Sequence, residues 1–407
     1  MHKKNLFYKN KIIKELYFSH TLSCSDLSAQ IETSLPLTTK MLNDLVRDND
    51  IVETGYAPSK GGRRPLMYAV RPDSKYTVAV AMDQLFTRIV IMDMHRQYAT
   101  AVEKIELRLA KNPDALDVLT ERITDYIRRS GIMKNKIVGI GIGMPGFVDS
   151  KKGLNYSFLT EGETEICRHI MDRVGLPTWM ENDSSLIALA ELSFGAARGK
   201  KSAMVVNLGW GIGLGLILNG ELFRGYNGFA GEFSHLPLFT NNKLCSCGKS
   251  GCLETEASLL VVVERAVEGI RNGRLTMLKE PHLSDNFDQA SKAVIDAAEK
   301  GDKFAVELLS ESGYSIGRGV AILIHLLNPE TIIISGRGAS AGKIWQTSIQ
   351  QALNEHCIPR LARNSEIRVS SLGYDAELLG ASALVMENYV QSEKETAVKE
   401  RAAEEKA

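Results

Sequence analysis

The chain has 407 residues, and 49 Lys and Arg balance 49 Asp and Glu; this length allows two or three domains. No apolar run approaches the roughly twenty residues that a membrane-crossing helix needs, and no hydrophobic signal region follows the first five residues. These features argue against a membrane-spanning or exported protein, and we expect a cytoplasmic one. Residues 1–75 hold twelve Lys and Arg against eight Asp and Glu, a net charge of +4 that permits contact with nucleic acid.

Residues 1–72 are predicted to form a winged helix-turn-helix, which is a DNA-binding domain. Apolar residues at helical spacing predict its first helix over residues 6–18. Ser25 and Ser34 are placed to cap a second and a third helix. Runs rich in β-branched and aromatic residues then predict a two-stranded wing with a basic, glycine-rich loop at its tip. The strands of the wing are Ile51 to Tyr56 and Leu66 to Val70.

The third helix of a winged helix-turn-helix enters the major groove of DNA by its N-terminal half. On this helix, Thr39, Lys40 and Asn43 are predicted to face the DNA; Asn43 can read an adenine edge, and Lys40 a guanine or a phosphate. Arg63 and Arg64 at the tip of the wing suit a narrow minor groove or the phosphate backbone. The alternative is a winged helix that binds protein, and the loop arginines argue against it. The inner face of the helix is predicted to be Thr38, Met41, Leu42 and Leu45.

From Tyr76 onward, buried strands end in glycine-rich turns and alternate with helices, which is the pattern of an α/β fold. A second run of strand, glycine turn and strand begins near residue 202 and indicates a second unit. We therefore predict two α/β lobes after the winged helix-turn-helix, which forms the head of the chain. The predicted division is a first lobe at 73–195, completed by a helix near 378–391, a second lobe at 196–377 and a charged tail at 392–407.

One short segment of the second lobe holds an imidazole and three thiols, from His235, Cys245, Cys247 and Cys252. Four soft donors of this kind form a closed tetrahedral site suited to zinc, and nearby glycines let the backbone wrap tightly. The alternative is a set of buried free thiols or of disulfide halves, and a reducing compartment disfavours the disulfides. We predict one structural zinc ion per chain. The scattered cysteines, Cys24, Cys167 and Cys357, are predicted to be inert.

Several separate motifs together resemble the ROK family, which comprises repressors, open reading frames and sugar kinases. The resemblance is to its repressor branch, which carries an N-terminal winged helix, and it covers residues 8–390. It implies a two-lobed, actin-like sugar-kinase fold of the ribonuclease H-like kind, with a cleft between the lobes. The motifs are Gly61 to Pro65, Gly141 to Asp149, Glu181 to Asp183, Leu208 to Gly213, Gly231 to His235, the cysteine segment with Glu254, and Asn328 to Glu330.

The resemblance also implies a sugar site. A sugar is a ring of hydroxyls, and carboxylates and amides hold it best. The predicted sugar-binding residues are Asn182, Asp183, Glu232, His235 and Glu254. If zinc takes one ring nitrogen of His235, the other nitrogen can face a hydroxyl. In family kinases, the carboxylate at the position of Asp183 removes a proton from the attacking hydroxyl.

Departures from the kinase pattern favour a repressor. Leu85 and Phe86 stand where kinases carry glycines that let backbone N–H groups approach a phosphate. Trp210 stands in place of a threonine in the second phosphate loop, and Ser234 in place of a glycine. Asp183 is retained, and we expect it to bind a ligand hydroxyl; the alternative is an aspartate that only caps a helix.

The sequence therefore predicts a transcriptional repressor of carbohydrate-utilisation genes. A homodimer or homotetramer would bind a pseudo-palindromic DNA operator, and a sugar or sugar phosphate in the cleft would release it. The alternative left open is an ATP-dependent sugar kinase with an accessory DNA-binding head, in which Asp183 would be the catalytic base. A zinc-finger DNA binder is disfavoured, because no basic helix follows the cysteines.

Overall fold

A computed structural model describes residues 2–58, 64–159, 165–240, 242–280, 283 and 287–404. No helix among these residues is long and apolar enough to cross a membrane. The chain separates into two compact units. The first comprises Met1–Asn182 with Ala381–Ala407, and the second comprises Asp183–Gly380.

The first unit begins with a head of three helices and a three-stranded antiparallel sheet, in the order β1-β3-β2. The predicted inner face of α3 is buried, and both predicted strands of the wing are present over the predicted residues. The short strand β1 pairs with β3 and was not predicted. The elements are α1 His2–Ser19, β1 Leu22–Ser23, α2 Cys24–Gln30, α3 Leu35–Arg47, β2 Ile51–Tyr56 and β3 Leu66–Val70.

The caps of α2 and α3 differ from the prediction. Ser23, and not Ser25, caps α2, because Ser23 and Asp26 form a reciprocal capping box. The Ser25 hydroxyl instead makes a 2.8 Å hydrogen bond with that of Ser23. Ser34 stands at the N-cap of α3, as predicted, but its side chain makes no capping hydrogen bond.

The remainder of the first unit is a mixed five-stranded sheet in the order β10-β7-β4-β5-β6. Strands β4 and β5 form an antiparallel hairpin, and β7 runs parallel to both β4 and β10. The elements are β4 Tyr76–Met82, β5 Phe86–Asp93, β6 Glu103–Glu106, α4 Ala115–Arg129, β7 Ile137–Met144, β8 Val148–Asp149, β9 Leu154–Asn155, α5 Ile166–Val174 and β10 Thr178–Asn182.

The second unit is built on another mixed five-stranded sheet, in the order β13-β12-β11-β14-β15. Helix α6 packs on β12 so closely that a Cβ at Gly215 would lie 2.2 Å from the Cβ of Ala188. The strands are β11 Ser202–Leu208, β12 Ile212–Leu218, β13 Glu221–Phe223, β14 Thr331–Ser335 and β15 Glu366–Val369. The helices are α6 Asp183–Phe194, α7 Glu254–Ala257, α8 Leu259–Arg271, α9 Phe287–Glu299, α10 Lys303–Leu327, α11 Gly342–His356 and α12 Pro359–Ala362.

The last helix, α13, spans Ala376–Glu404 and passes from the second unit into the first at Ala381. In the first unit it lies directly on β7, where a Cβ at Gly141 would sit 2.0 Å from the carbonyl oxygen of Ala381. Only glycine fits at that position of the strand. The backbone of α13 is therefore in direct contact with the centre of the sheet.

Helix α13 also holds the head. The hydroxyl of Ser382 lies 2.8 Å from that of Tyr17 on α1 and 2.7 Å from that of Thr77 on β4. All three side chains are buried, and each hydroxyl has a partner, as buried polar groups require. Lys14 on α1 adds a 2.7 Å hydrogen bond to the carbonyl oxygen of Glu387. Within the first unit, the head is thus attached through side chains as well as through the chain itself.

The buried Tyr17 hydroxyl makes the free energy of unfolding depend on pH in the alkaline range. Burial raises the pKa of Tyr17 to about 12, although Ser382 and Arg96 act to lower it. A tyrosine in the unfolded chain ionises at about pH 10. The stability that the neutral Tyr17 hydroxyl contributes is therefore fully present below pH 10 and is lost as the pH rises to 12. We expect wild type to lose about 2 kcal/mol more unfolding free energy than Tyr17→Phe between pH 9 and pH 11.5.

Urea unfolding followed by circular dichroism at the two pH values measures this difference. Tyr226→Phe is the matched control, because the side chain of Tyr226 is 98% exposed. Equal losses of stability in wild type and in Tyr17→Phe would contradict the buried position of this hydroxyl.

Candidate functional site

The cysteine segment of the second unit is folded by backbone turns. Cys245 N–H donates to the carbonyl of Lys249 at 2.8 Å, and Gly248 N–H donates to that of Cys245 at 2.9 Å. Gly251 has a φ of +79°, and a Cβ there would lie 2.0 Å from the carbonyl oxygen of Phe239. Glycine is therefore required at Gly251, where the chain turns back on itself. These turns direct the thiols towards one point.

The structure brings the four predicted metal ligands together. The ligand atoms of His235, Cys245, Cys247 and Cys252 all lie within 4.8 Å of one another. The Cys247 and Cys252 sulfurs are 3.7 Å apart, and Nδ1 of His235 is 3.4 Å from the Cys245 sulfur. A tetrahedral zinc site with bonds of about 2.3 Å to sulfur has sulfur–sulfur edges of about 3.8 Å, whereas a disulfide needs about 2.05 Å. The cluster therefore has the dimensions of a metal site.

The thiols of the cluster influence one another's protonation. Burial, and then the neighbouring thiols, raise the pKa of Cys252 to about 12. Burial also acts to raise the pKa of Cys247, but hydrogen bonds from the backbone and from the neighbouring thiols lower it overall. All six cysteines of the chain are free.

His235 lies between the thiols and the predicted sugar-binding carboxylates. Its Nδ1 faces Cys245, and its Nε2 is 3.6 Å from Oε2 of Glu232. Burial raises the pKa of the Glu232 carboxyl; His235 acts to lower it, and Glu254 raises it further. Glu254 follows Cys252 by two residues and begins α7. The second unit thus gathers one imidazole and two carboxylates beside the cysteine cluster.

The other two predicted sugar ligands are the consecutive residues at which the chain passes from the first unit to the second. Asn182 ends β10 in the first unit, and its amide donates to the carbonyl of Gly146 at 3.1 Å. Asp183 begins α6 in the second unit, and Oδ1 accepts from the backbone N–H of Ser184 at 2.7 Å. An aspartate at a helix N-terminus is favoured by the helix dipole. Sugar binding by all five residues stays a prediction.

One residue that the sequence reasoning missed anchors α6. Glu191 is fully buried, and its carboxylate accepts hydrogen bonds from the hydroxyls of Ser335 and Ser370 and, at 3.0 Å, from the N–H of Ala196. These bonds tie α6 to residues that follow or end β14 and β15. The position of Asp183 at the start of α6 therefore depends on a buried carboxylate. The sequence carries no signal for this role, because Ser335 and Ser370 are 144 and 179 residues away.

The first predicted phosphate loop is closed by its own aspartate. Oδ1 of Asp83 accepts hydrogen bonds from the backbone N–H groups of Leu85 at 2.8 Å and Phe86 at 2.7 Å. The ammonium of Lys104 lies 4.2 Å from the centre of the Phe86 ring. The backbone N–H groups of Leu85 and Phe86 are thus engaged within the loop.

The head presents the predicted DNA-binding residues of α3 to solvent. Thr39, Lys40 and Asn43 are exposed on the side opposite the buried face. The Thr39 hydroxyl donates to the carbonyl of Leu35 at 2.9 Å, which fixes its rotamer. Arg64 lies 6.0 Å from the ring centre of Tyr56. Arg63 lies outside the described residues.

Comparison with known proteins assigns the family. Residues 88–388 match the ROK family model, and the chain belongs to the ROK family. The xylose repressor of Caldicellulosiruptor bescii is 26% identical over 383 residues, which are 92% of this chain and 94% of that protein. The glucokinase of Halalkalibacterium halodurans is 34% identical over 308 residues, 72% of this chain and 92% of that enzyme.

A solved structure extends the likeness to the whole fold. A ROK family transcriptional regulator, a homologue of the Escherichia coli MLC protein, superimposes with a TM-score of 0.76 at 24% identity. It covers 95% of this chain, and this chain covers 97% of it. The predicted family and the predicted fold class are confirmed.

Proposed function

We propose that this chain is a DNA-binding transcriptional repressor of carbohydrate-utilisation genes whose operator affinity is lowered by a bound sugar or sugar phosphate. The observation that carries the proposal is the match to a xylose repressor over 92% of the chain. The kinase match leaves more than a quarter of the chain unmatched, since it covers 72%. The exposed face of α3 supplies the DNA-binding surface that a repressor needs.

The cysteine cluster is assigned to one zinc ion, held by His235, Cys245, Cys247 and Cys252. Three thiolates and an imidazole close the coordination shell, so the metal is structural and supplies no catalytic position. Its role is to hold the segment that carries His235 and Glu254. Since Nδ1 of His235 faces the thiols, Nε2 is left on the side of Glu232, where it can meet a sugar hydroxyl.

The proposed sugar site consists of Asn182, Asp183, Glu232, His235 and Glu254. The carboxylates accept hydrogen bonds from hydroxyls, while the asparagine amide both donates and accepts. A sugar releases the operator only if it binds one arrangement of the protein more tightly than another. A homodimer or homotetramer would turn that preference into a change of half-site spacing.

DNA recognition by α3 is tested by two substitutions. Asn43→Ala is expected to weaken binding by roughly 5- to 150-fold and to relax preference at one base pair, because an amide reads a base edge. Lys40→Ala is expected to weaken binding to all DNA sequences alike. If Lys40 binds the phosphate backbone, the salt dependence of the affinity is also expected to fall by about one phosphate contact. Fluorescence anisotropy with an operator selected from random duplex DNA measures both effects.

The matched control for the charge is Lys300→Ala, an exposed lysine of the second unit. Operator affinity unchanged in Asn43→Ala and Lys40→Ala alike would remove the DNA-binding role from this face of α3.

The second candidate function is a sugar kinase with a DNA-binding head, which the 34% identity to a glucokinase favours. Asp183, the residue that would act as base, is present. The capture of the Leu85 and Phe86 N–H groups by Asp83 argues against phosphate binding in the first loop. A coupled ADP-release assay over a sugar panel is expected to give no turnover above background. Turnover that Asp183→Asn abolishes would establish the kinase instead.

A further inference from the structure

Two glycine-flanked turns meet at one edge of the sheet in the second unit. Residues 209–211 join β11 to β12, and residues 336–338 follow β14. Because β11 and β14 are parallel neighbours, their carboxyl ends lie at the same edge, where open α/β sheets usually bind ligands. A Cβ at Gly336 would lie 2.1 Å from Oδ1 of Asn207, so the turn after β14 touches the end of β11.

The side chains that these turns present are engaged by the start of α9. The Trp210 ring lies on that of Phe287, with centroids 3.9 Å apart and planes inclined by 30°. Arg337 forms an ion pair with Asp288, and the two side chains are only 14% and 20% exposed. Arg337 also donates to the Tyr374 hydroxyl at 3.2 Å. The first two residues of α9 therefore contact both turns at this edge of the sheet.

The same turn contacts a predicted sugar ligand. A Cβ at Gly211 would lie 2.5 Å from Oε2 of Glu254, so the backbone of the turn lies against this carboxylate. The Gly209 N–H donates to the carbonyl of Gly211 at 3.0 Å, which keeps the turn tight. Trp210 stands between these two glycines. The stacking of Trp210 on Phe287 thus restrains the turn, and the turn in turn restrains Glu254.

We propose that Trp210, Phe287, Arg337 and Asp288 form a latch. It occupies the position where a ligand would bind at the carboxyl edge of this sheet. The latch holds the turn at 209–211 against Glu254 and so fixes the sugar-binding carboxylate without a nucleotide. Trp210 is a positioning residue, since it acts on the sugar through Gly211 and Glu254. The inference rests on the proposed function, because it concerns the same sugar site.

The latch is tested by comparing Trp210→Ala and Phe287→Ala with Trp210→Phe. The phenylalanine variant keeps an aromatic face and loses an indole N–H that has no hydrogen-bond partner among the described residues. Isothermal titration with D-glucose and D-xylose is expected to show an affinity about tenfold lower in each alanine variant, as for loss of a half-buried aromatic contact that positions a ligand group. The double alanine variant should lose no more than the single ones.

Hydrogen exchange of the sugar-free protein reads the latch independently of its ligand. Faster exchange is expected at residues 208–213 and 253–257 in both alanine variants, but not in Trp210→Phe. Exchange and affinity equal to wild type in the alanine variants would overturn the proposal, as would tight binding of a non-hydrolysable ATP analogue by wild type. If neither sugar binds wild type, hydrogen exchange alone tests the latch. The proposed function fails independently of the latch if no sugar changes operator affinity.

Discussion

Cys247→Ser is expected to abolish stoichiometric zinc binding and to weaken sugar binding by roughly 10- to 100-fold, the range for disturbed metal-site shells. Cys247 is exposed, so the substitution leaves no cavity in the core. Sugar affinity is lost because the ion no longer holds the cysteine segment, which begins with His235 and leads directly into Glu254. Operator affinity without sugar is expected to change by less than about twofold, since the metal site and α3 belong to different units.

Metal content by plasma mass spectrometry and sugar affinity by titration calorimetry measure the two effects. Cys357→Ser is the matched control, because this buried cysteine of the second unit lies outside the cluster. A Cys247→Ser protein that holds no metal yet binds sugar and responds to it as wild type would refute the role assigned to the ion.

Asp183→Asn is expected to produce a repressor that binds its operator but no longer responds to sugar. A hydrogen bond to a charged group contributes about 1.5–3 kcal/mol, so its loss corresponds to roughly a 10- to 150-fold weaker sugar affinity. The substitution keeps the size of the side chain and places an amide where a carboxylate would accept from a hydroxyl. Titration calorimetry with the sugar that releases wild type from DNA gives the affinity.

Two comparisons separate ligand binding from helix stability in that variant. Asp172→Asn removes an exposed carboxylate of the first unit and should leave sugar affinity unchanged. Loss of the favourable charge at the start of α6 should lower unfolding free energy by only about 0.3–1 kcal/mol. If Asp183→Asn binds sugar as wild type does, Asp183 only begins the helix and has no ligand role.

Local patterns predicted much of the fold. Apolar spacing located α3 and its buried face, and the two strands of the wing were predicted residue for residue. The spacing of the cysteines predicted the cluster, because its three thiols lie within eight residues and the backbone turns between them are local. The cap of α2 was assigned wrongly to Ser25, since Ser23 has Asp26 at the spacing that completes a capping box.

Contacts between distant parts of the chain could not be predicted. Tyr17 and Ser382 are 365 residues apart, and neither side chain carries a signal that names its partner. Glu191 reads as an ordinary helical glutamate until Ser335 and Ser370 are placed beside it. Trp210 could be recognised as a departure from the kinase pattern, but the sequence does not show that Phe287 covers it. Each of these depends on tertiary packing, which spacing alone does not encode.

The most direct test of the account is a titration of sugar into the protein bound to its selected operator, followed by fluorescence anisotropy. D-Xylose, D-glucose, N-acetyl-D-glucosamine and their phosphates form the panel, with Asp183→Asn as the unresponsive control. We predict that at least one of them lowers operator affinity by about tenfold or more, within the usual range of allosteric coupling. Tight operator binding that no member of the panel alters, together with sugar-dependent ADP release, would contradict the account.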